Sequence, residues 1–199
     1  RIDRRRGISA PTIVGASEYV AAQAALADVG LRFVSFTPIA VRGECHVLAR
    51  VLWAAEAGDE LWLLVVIECD EAGLGRRAVF FDEDDLLSAL DELEDRYVTG
   101  EGAADTAMIR LSGQYYRAYN QRDFAAIEVL LSPDLTAVDH RPLGFGTQDR
   151  AGWMVRDRSA VAVAPDAVNL VRKLWASGRA ALTCNNHHGT TPDGNRYEW

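Results

Sequence analysis

Lysine is almost missing from this chain: Lys173 stands alone beside 20 arginines. Cysteine is scarce, and Cys45, Cys69 and Cys184 form no CxxC spacing, which argues against a disulfide scaffold or a zinc quartet. Three buried, reduced thiols in a cytoplasmic protein are the expectation. Long apolar runs are absent too. The longest, Leu61-Trp62-Leu63-Leu64-Val65-Val66-Ile67, falls far short of the ~18–20 residues a membrane helix needs, so no membrane partner is expected. There is no phosphate loop, dinucleotide fingerprint, nucleophile elbow or HExxH, and no cofactor or metal is expected. A signal peptide and an initiator Met are also lacking, so the chain reads as a piece of a longer polypeptide.

What is present fits a folded protein of 199 residues, one large domain or two small ones, with 49% apolar and 25% charged residues. The net charge of −8 is unevenly spread. Residues 56 to 105 hold 16 acids against Arg76, Arg77 and Arg96, a local charge of −13, while the remainder is mildly basic at +5. No continuous basic face tracks a phosphate backbone, so nucleic acid is not an expected partner.

Along the chain, residues 15 to 26 predict a helix with Tyr19, Val20 and Leu26 on one face. Strands follow at 31–41, 45–53, 60–69 and 78–81, with Gly43 and Gly58 at turns. Asp82 reads as the N-cap of a helix over 83–97, with Glu83, Asp84 and Asp85 in its first turn and Leu86, Leu87, Leu90, Leu93 and Tyr97 as its apolar stripe. Gly100 and Gly102 mark a boundary. Beyond it, helices are expected at 103–119, 124–131 and 149–159, and strands at 135–138, 168–175, 180–188 and 196–199.

An internal repeat is visible in this order. Ile2-Asp3-Arg4-Arg5 can be laid over Val138-Asp139-His140-Arg141, Gly43 over Gly178, and Gly58 over Gly194, at an offset near 136. Strand, helix, strand, strand, strand then occurs twice.

Modules of this length and order, together with Tyr116-Arg117-Ala118-Tyr119-Asn120-Gln121-Arg122-Asp123-Phe124, Asp139-His140-Arg141 and His188-Gly189-Thr190-Thr191-Pro192-Asp193-Gly194, resemble the nuclear transport factor 2-like fold in its SnoaL-like branch. Phe81-Asp82-Glu83-Asp84-Asp85-Leu86, running on to Tyr97, looks like the connector between tandem modules, as in large actinobacterial regulatory proteins that also carry ATPase, nucleotide-cyclase or transcription-regulator domains. The resemblance implies an α+β fold, a curved antiparallel sheet packed on helices around a cone-like pocket. It implies two incomplete modules, 1–98 ending in the linker helix 83–97, and 104–199. Each would leave an apolar sheet face to pack on other modules of the same chain or on a homodimer partner. Such pockets serve acid/base enzymes, ligand binding and protein contacts alike, so fold alone does not assign function.

Two sets of residues are candidates for a site. Asp139 and His188 are the pair for acid/base catalysis, moving a proton beside a substrate carbonyl as a SnoaL-like cyclase or isomerase does. The first repeat offers Asp3 but no matching histidine, which favours a structural Asp139 paired with Arg141. Tyr115, Tyr119, Trp153, Asn186 and His188 are the candidates for binding a small apolar molecule, with Asn186 and His188 sharing one strand face and Asn185 and His187 the other. The preferred expectation is a non-catalytic ligand-binding or assembly module of a regulatory protein; the alternatives are the cyclase/isomerase and a dimerisation module.

Overall fold

The apolar runs at 46–55 and 60–69, separated by the Gly58 turn, form the centre of an antiparallel meander. In the computed structural model, which describes residues 2–6, 12–142 and 144–198, the meander comprises β2 (Leu31–Arg42), β3 (His46–Ala55), β4 (Glu60–Cys69) and β5 (Gly75–Asp82). The short β1 (Ile2–Asp3) lies beside β5. After α1 (Ala16–Asp28), which precedes β2, and α2 (Leu86–Thr99), which follows β5, the chain makes a short 3-10 turn at Ala103–Asp105. It continues through α3 (Thr106–Gln121), α4 (Phe124–Leu130), β6 (Ala137–Asp139), β7 (Gly146–Gln148), α5 (Arg150–Val163), β8 (Val168–Ser177), β9 (Ala180–Thr190) and β10 (Arg196–Glu198).

The fold is α+β, and one eight-stranded sheet, ordered β1-β5-β4-β3-β2-β8-β9-β10, runs through both halves of the chain. The expectation of a wholly antiparallel sheet is corrected. β1 pairs with β5 in parallel, and β2 pairs with β8 in parallel through Val41↔Lys173 and Arg42↔Leu174. The sheet is open, with β1 and β10 as its edges, and β6 and β7 form a separate hairpin.

Helix α2 covers one face of the meander. Ala89 and Leu93 are fully buried against Leu48, Leu64, Val66, Val79 and Phe81, with Leu86 and Leu90 at the margin. Its start differs from expectation: Asp85 is the N-cap residue and makes no side-chain cap, so no acid falls in the first turn. Asp82 is engaged elsewhere, accepting from the backbone N–H and the Nε of Arg6, both at 2.9 Å. A paired carboxylate has less reason to cap. The α1 helix forms as expected, yet none of its residues is buried; Tyr19 is 40% and Val20 65% exposed, and Phe33, Val34 and Phe36 on β2 are exposed as well.

In the second half, Val98 and Ile109 pack with Val171 and Leu174, joining the end of α2 and α3 to β8. Ala118, Tyr119, Ile127 and Met154 bring α3, α4 and α5 together. Arg122, in the left-handed region at φ 64°, turns the chain from α3 to α4, and its guanidinium holds the carbonyls of Tyr119 at 3.0 Å and Pro165 at 2.8 Å. Asp123 then caps α4 by accepting from the Ala126 N–H at 3.0 Å.

Corresponding positions in the two halves share local geometry. Arg5 donates its backbone N–H, Nε and guanidinium to Asp3, and Arg141 does the same to Asp139. Gly43 and Gly178 both occupy the left-handed region, at φ 55° and 60°. The segment after α2 serves both of these turns. Glu101 accepts from the N–H groups of Glu44 and Cys45 at 2.7 and 2.9 Å, and Asp105 accepts from the Gly178 N–H at 2.7 Å. A Cβ at Gly43 would sit only 1.7 Å from the Glu101 carboxylate, so this turn admits its anion only with glycine there.

Candidate functional site

On α3, Tyr115 and Tyr119 are one turn apart and project to the same side, with Tyr116 beside them. On α5, Trp153, Arg156, Asp157 and Ala160 follow the i, i+3, i+4, i+7 pattern of one helix face. On β9, Thr183, Asn185 and His187 alternate onto a single sheet face. These three faces converge, with Phe145, Arg141 and Tyr197, on a cleft of about 920 Å³. That is a generous volume for a small-molecule site, most of which fall between ~300 and 1,000 Å³.

The polar atoms inside are largely engaged with one another. Trp153 Nε1 donates to the Tyr115 hydroxyl at 2.8 Å, and that hydroxyl donates to Asp157 Oδ2 at 2.6 Å. Arg156 donates to the other Asp157 oxygen at 2.7 Å and lies over the Trp153 ring, 3.4 Å from its centroid. Asn185 Nδ2 donates to the Tyr116 hydroxyl at 2.7 Å, with Thr183 Oγ1 at 3.2 Å from it. The Tyr119 hydroxyl and His187 Nε2 are 2.8 Å apart, and the Tyr197 ring stacks on the imidazole. Gly189 lets Tyr197 and the Ala164–Ala167 turn close in, because a Cβ there would meet all of them at about 3 Å.

No protein-family model matches this chain, and no curated protein is significantly similar to it. The chemistry of the cleft is therefore read from its geometry.

Burial pushes the phenols of Tyr115 and Tyr119 upward, Tyr119 to about 12, and the Asp157 charge adds to both shifts. Burial, then the neighbouring His188, lowers the pKa of His187. At neutral pH the cleft thus holds neutral phenols and a neutral imidazole, and its charges belong to the arginines and Asp157. Among the described residues, no group of three or more His, Cys, Asp or Glu side chains is placed to hold a metal.

Of the sequence candidates, Tyr115, Tyr119 and Trp153 line the cleft, whereas Asn186, His188 and Asp139 do not. The face chosen on β9 is corrected: Asn185 and His187 point in, while Asn186 points away and donates to Glu198 at 2.6 Å. Asp139 is a structural carboxylate. It accepts from the backbone N–H groups of Arg141 and Phe145, both at 3.1 Å, and from the Arg141 guanidinium, which hold its pKa far below the usual range. Neither Asp139 nor His188 lines this cleft, so the acid/base pair of the alternative enzymatic reading is not assembled in it. Sequence reasoning passed over Arg156, Asp157, His187 and Tyr197. The helical spacing from Trp153 to Asp157 was the available signal for the first two.

The lowered pKa of His187 fixes the sign of a pH effect. Below about pH 6.5, where an unfolded histidine takes up a proton, the folded chain resists doing so. Stability is therefore complete at neutral pH and declines as pH falls. The urea midpoint of a His187→Gln variant should vary less between about pH 7 and 5 than that of the unchanged protein. Equal slopes in the two proteins would contradict it.

Proposed function

We propose that this chain is a non-catalytic ligand-binding and assembly segment of a larger regulatory protein, built from two incomplete tandem modules of the nuclear transport factor 2-like, SnoaL-like kind. The second module takes a small, largely apolar molecule. The supporting observation is the cleft: it is large, four tyrosines, a phenylalanine and a tryptophan contribute to its walls, and most of its interior donors and acceptors are paired with each other. A guest that brings apolar surface displaces water from those walls without having to break those pairs. The matched Asp–Arg pairs, the matched turn glycines and the connector that caps both turns support the tandem reading. Tyr19, Val20, Phe33, Val34 and Phe36, exposed on α1 and β2, support an assembly role for the first half.

The test fills the cleft. Ala160 lies on α5 among the lining residues, and Ala160→Trp places an indole in the space. Titration of an apolar anilinonaphthalene dye, followed by its fluorescence, should give an affinity at least about tenfold weaker in the variant, a loss of ~1.4 kcal/mol. Unchanged affinity in a variant with the native circular dichroism would overturn the assignment.

One pair favours a second reading. Tyr119 and His187, neutral, buried and hydrogen-bonded, are the groups in the cleft suited to moving a proton beside a carbonyl, in place of Asp139 and His188.

A further inference from the structure

Away from the cleft, two cysteines stand at the same end of neighbouring strands. Cys45 closes the turn before β3, and Cys69 is the last residue of β4. The register His46↔Glu68 continues by one step, because the Cys69 N–H donates to the Cys45 carbonyl at 2.8 Å. Cys45 and Cys69 are therefore directly opposed. Directly opposed residues of antiparallel strands have Cα atoms ~4.5–5.5 Å apart, within the ~4.4–6.8 Å that a disulfide spans. Cys45 Sγ lies 3.9 Å from the carbonyl of Asp70, the residue after Cys69. Both thiols are free and partly exposed, which corrects the expectation of buried cysteines; the third, Cys184, is exposed on β9.

Cys45 has another neighbour with a structural task. The Glu101 carboxylate receives the N–H groups of Glu44 and Cys45, lies beside the Cys45 thiol, and so ties the β2–β3 turn to the connector after α2.

We propose that Cys45 and Cys69 are a redox-active dithiol oxidised by a small disulfide such as that of glutathione, and that closing the bond withdraws Cys45 from Glu101. Cys69 is the first nucleophile, because the Glu101 carboxylate keeps the proton on Cys45, whose pKa is raised to about 11. The Cys69 thiolate bonds to one sulfur of the small disulfide and expels the other as a thiolate. Cys45 then gives up its proton to solvent, attacks the Cys69 sulfur and expels the second small thiolate. The two protein thiols lose two electrons and two protons, and the small disulfide leaves as two thiols. Opposed cysteines at a strand end, open to solvent, make a labile bond rather than a permanent one. This inference is independent of the cleft.

The experiment uses the full chain with Cys184→Ala, which removes the one unrelated thiol. The protein is treated with glutathione disulfide, blocked with iodoacetamide and weighed intact. The expected product is lighter by two hydrogens, takes up no alkyl group, and gives a non-reduced digest joining the Cys45 and Cys69 peptides. A lasting glutathione adduct, a disulfide-linked dimer or two alkylated thiols would overturn the proposal. A further Cys45→Ser change should trap glutathione on Cys69, while Cys69→Ser should slow modification of Cys45 by about tenfold or more; equal rates would refute the order of attack. Oxidation should also speed amide exchange at Glu44, whose N–H is held by Glu101, and exchange left unchanged would refute the withdrawal.

Discussion

Arg42→Ala should lower the unfolding free energy by about 3–5 kcal/mol, among the largest effects of any single change in this protein. The Arg42 side chain is 2% exposed. It donates Nε and a terminal nitrogen to Glu94 Oε1 at 2.8 and 2.6 Å, and its other terminal nitrogen to the carbonyls of Val41 and Val171 at 2.8 and 3.2 Å. Those partners lie on β2, α2 and β8, so one guanidinium fastens the junction where the two halves of the sheet meet. Truncation leaves the Glu94 carboxylate, itself 18% exposed, without its cation, and opens a void beside it. The double change Arg42→Met, Glu94→Leu should recover most of the loss, because a buried ion pair replaced by apolar groups of similar volume is often neutral. Recovery stays incomplete, since the Val171 carbonyl loses a donor. Urea denaturation of Arg42→Ala measures the loss, and that of Arg42→Met, Glu94→Leu and the double variant measures the cycle. Simple additivity, with the double variant as unstable as the sum of the singles, would refute the pairing.

Arg42 also marks a limit of the sequence. A charged residue at the end of a strand reads as exposed, and its burial depends on β8, which lies more than a hundred residues further along the chain. The parallel joins of β2 with β8 and β1 with β5 were illegible for the same reason, because hydrophobic period reports which face a residue takes and not which strand lies alongside. Where the signal is local, it was clear. β3 and β4 announced themselves as dense apolar runs between glycine turns, α3 by its tyrosines, and the structural role of Asp139 by the Asp-x-Arg it shares with Asp3. The phase of β9 was hidden by its own composition. Asn185-Asn186 and His187-His188 are doublets, so a shift of one residue leaves the pattern of polar types unchanged, and only packing against Tyr116, Tyr119 and Tyr197 decides which of each pair faces inward.

The second large effect belongs to Asp157, the 4%-exposed acid at the base of the cleft. Asp157→Ala should cost about 2–3 kcal/mol, less than the loss of Arg42, because the partner left behind has a way out: Arg156 is 22% exposed and can turn to solvent. Tyr115 cannot. Its hydroxyl still accepts from Trp153 Nε1 but loses the acceptor for its own proton. Asp157→Asn keeps an oxygen facing that hydroxyl and should cost about 1 kcal/mol. Tyr115 supplies a readout that stability alone does not. Its pKa is raised first by burial and next by the charge on Asp157, so removing the charge should bring the phenol's titration down while leaving it above that of an exposed tyrosine. Ultraviolet absorbance of tyrosinate, followed against pH in Asp157→Asn and in the unchanged protein, separates the two contributions. An unaltered titration would mean that burial alone sets the protonation of the cleft, and that Asp157 holds Tyr115 in place without setting its charge state.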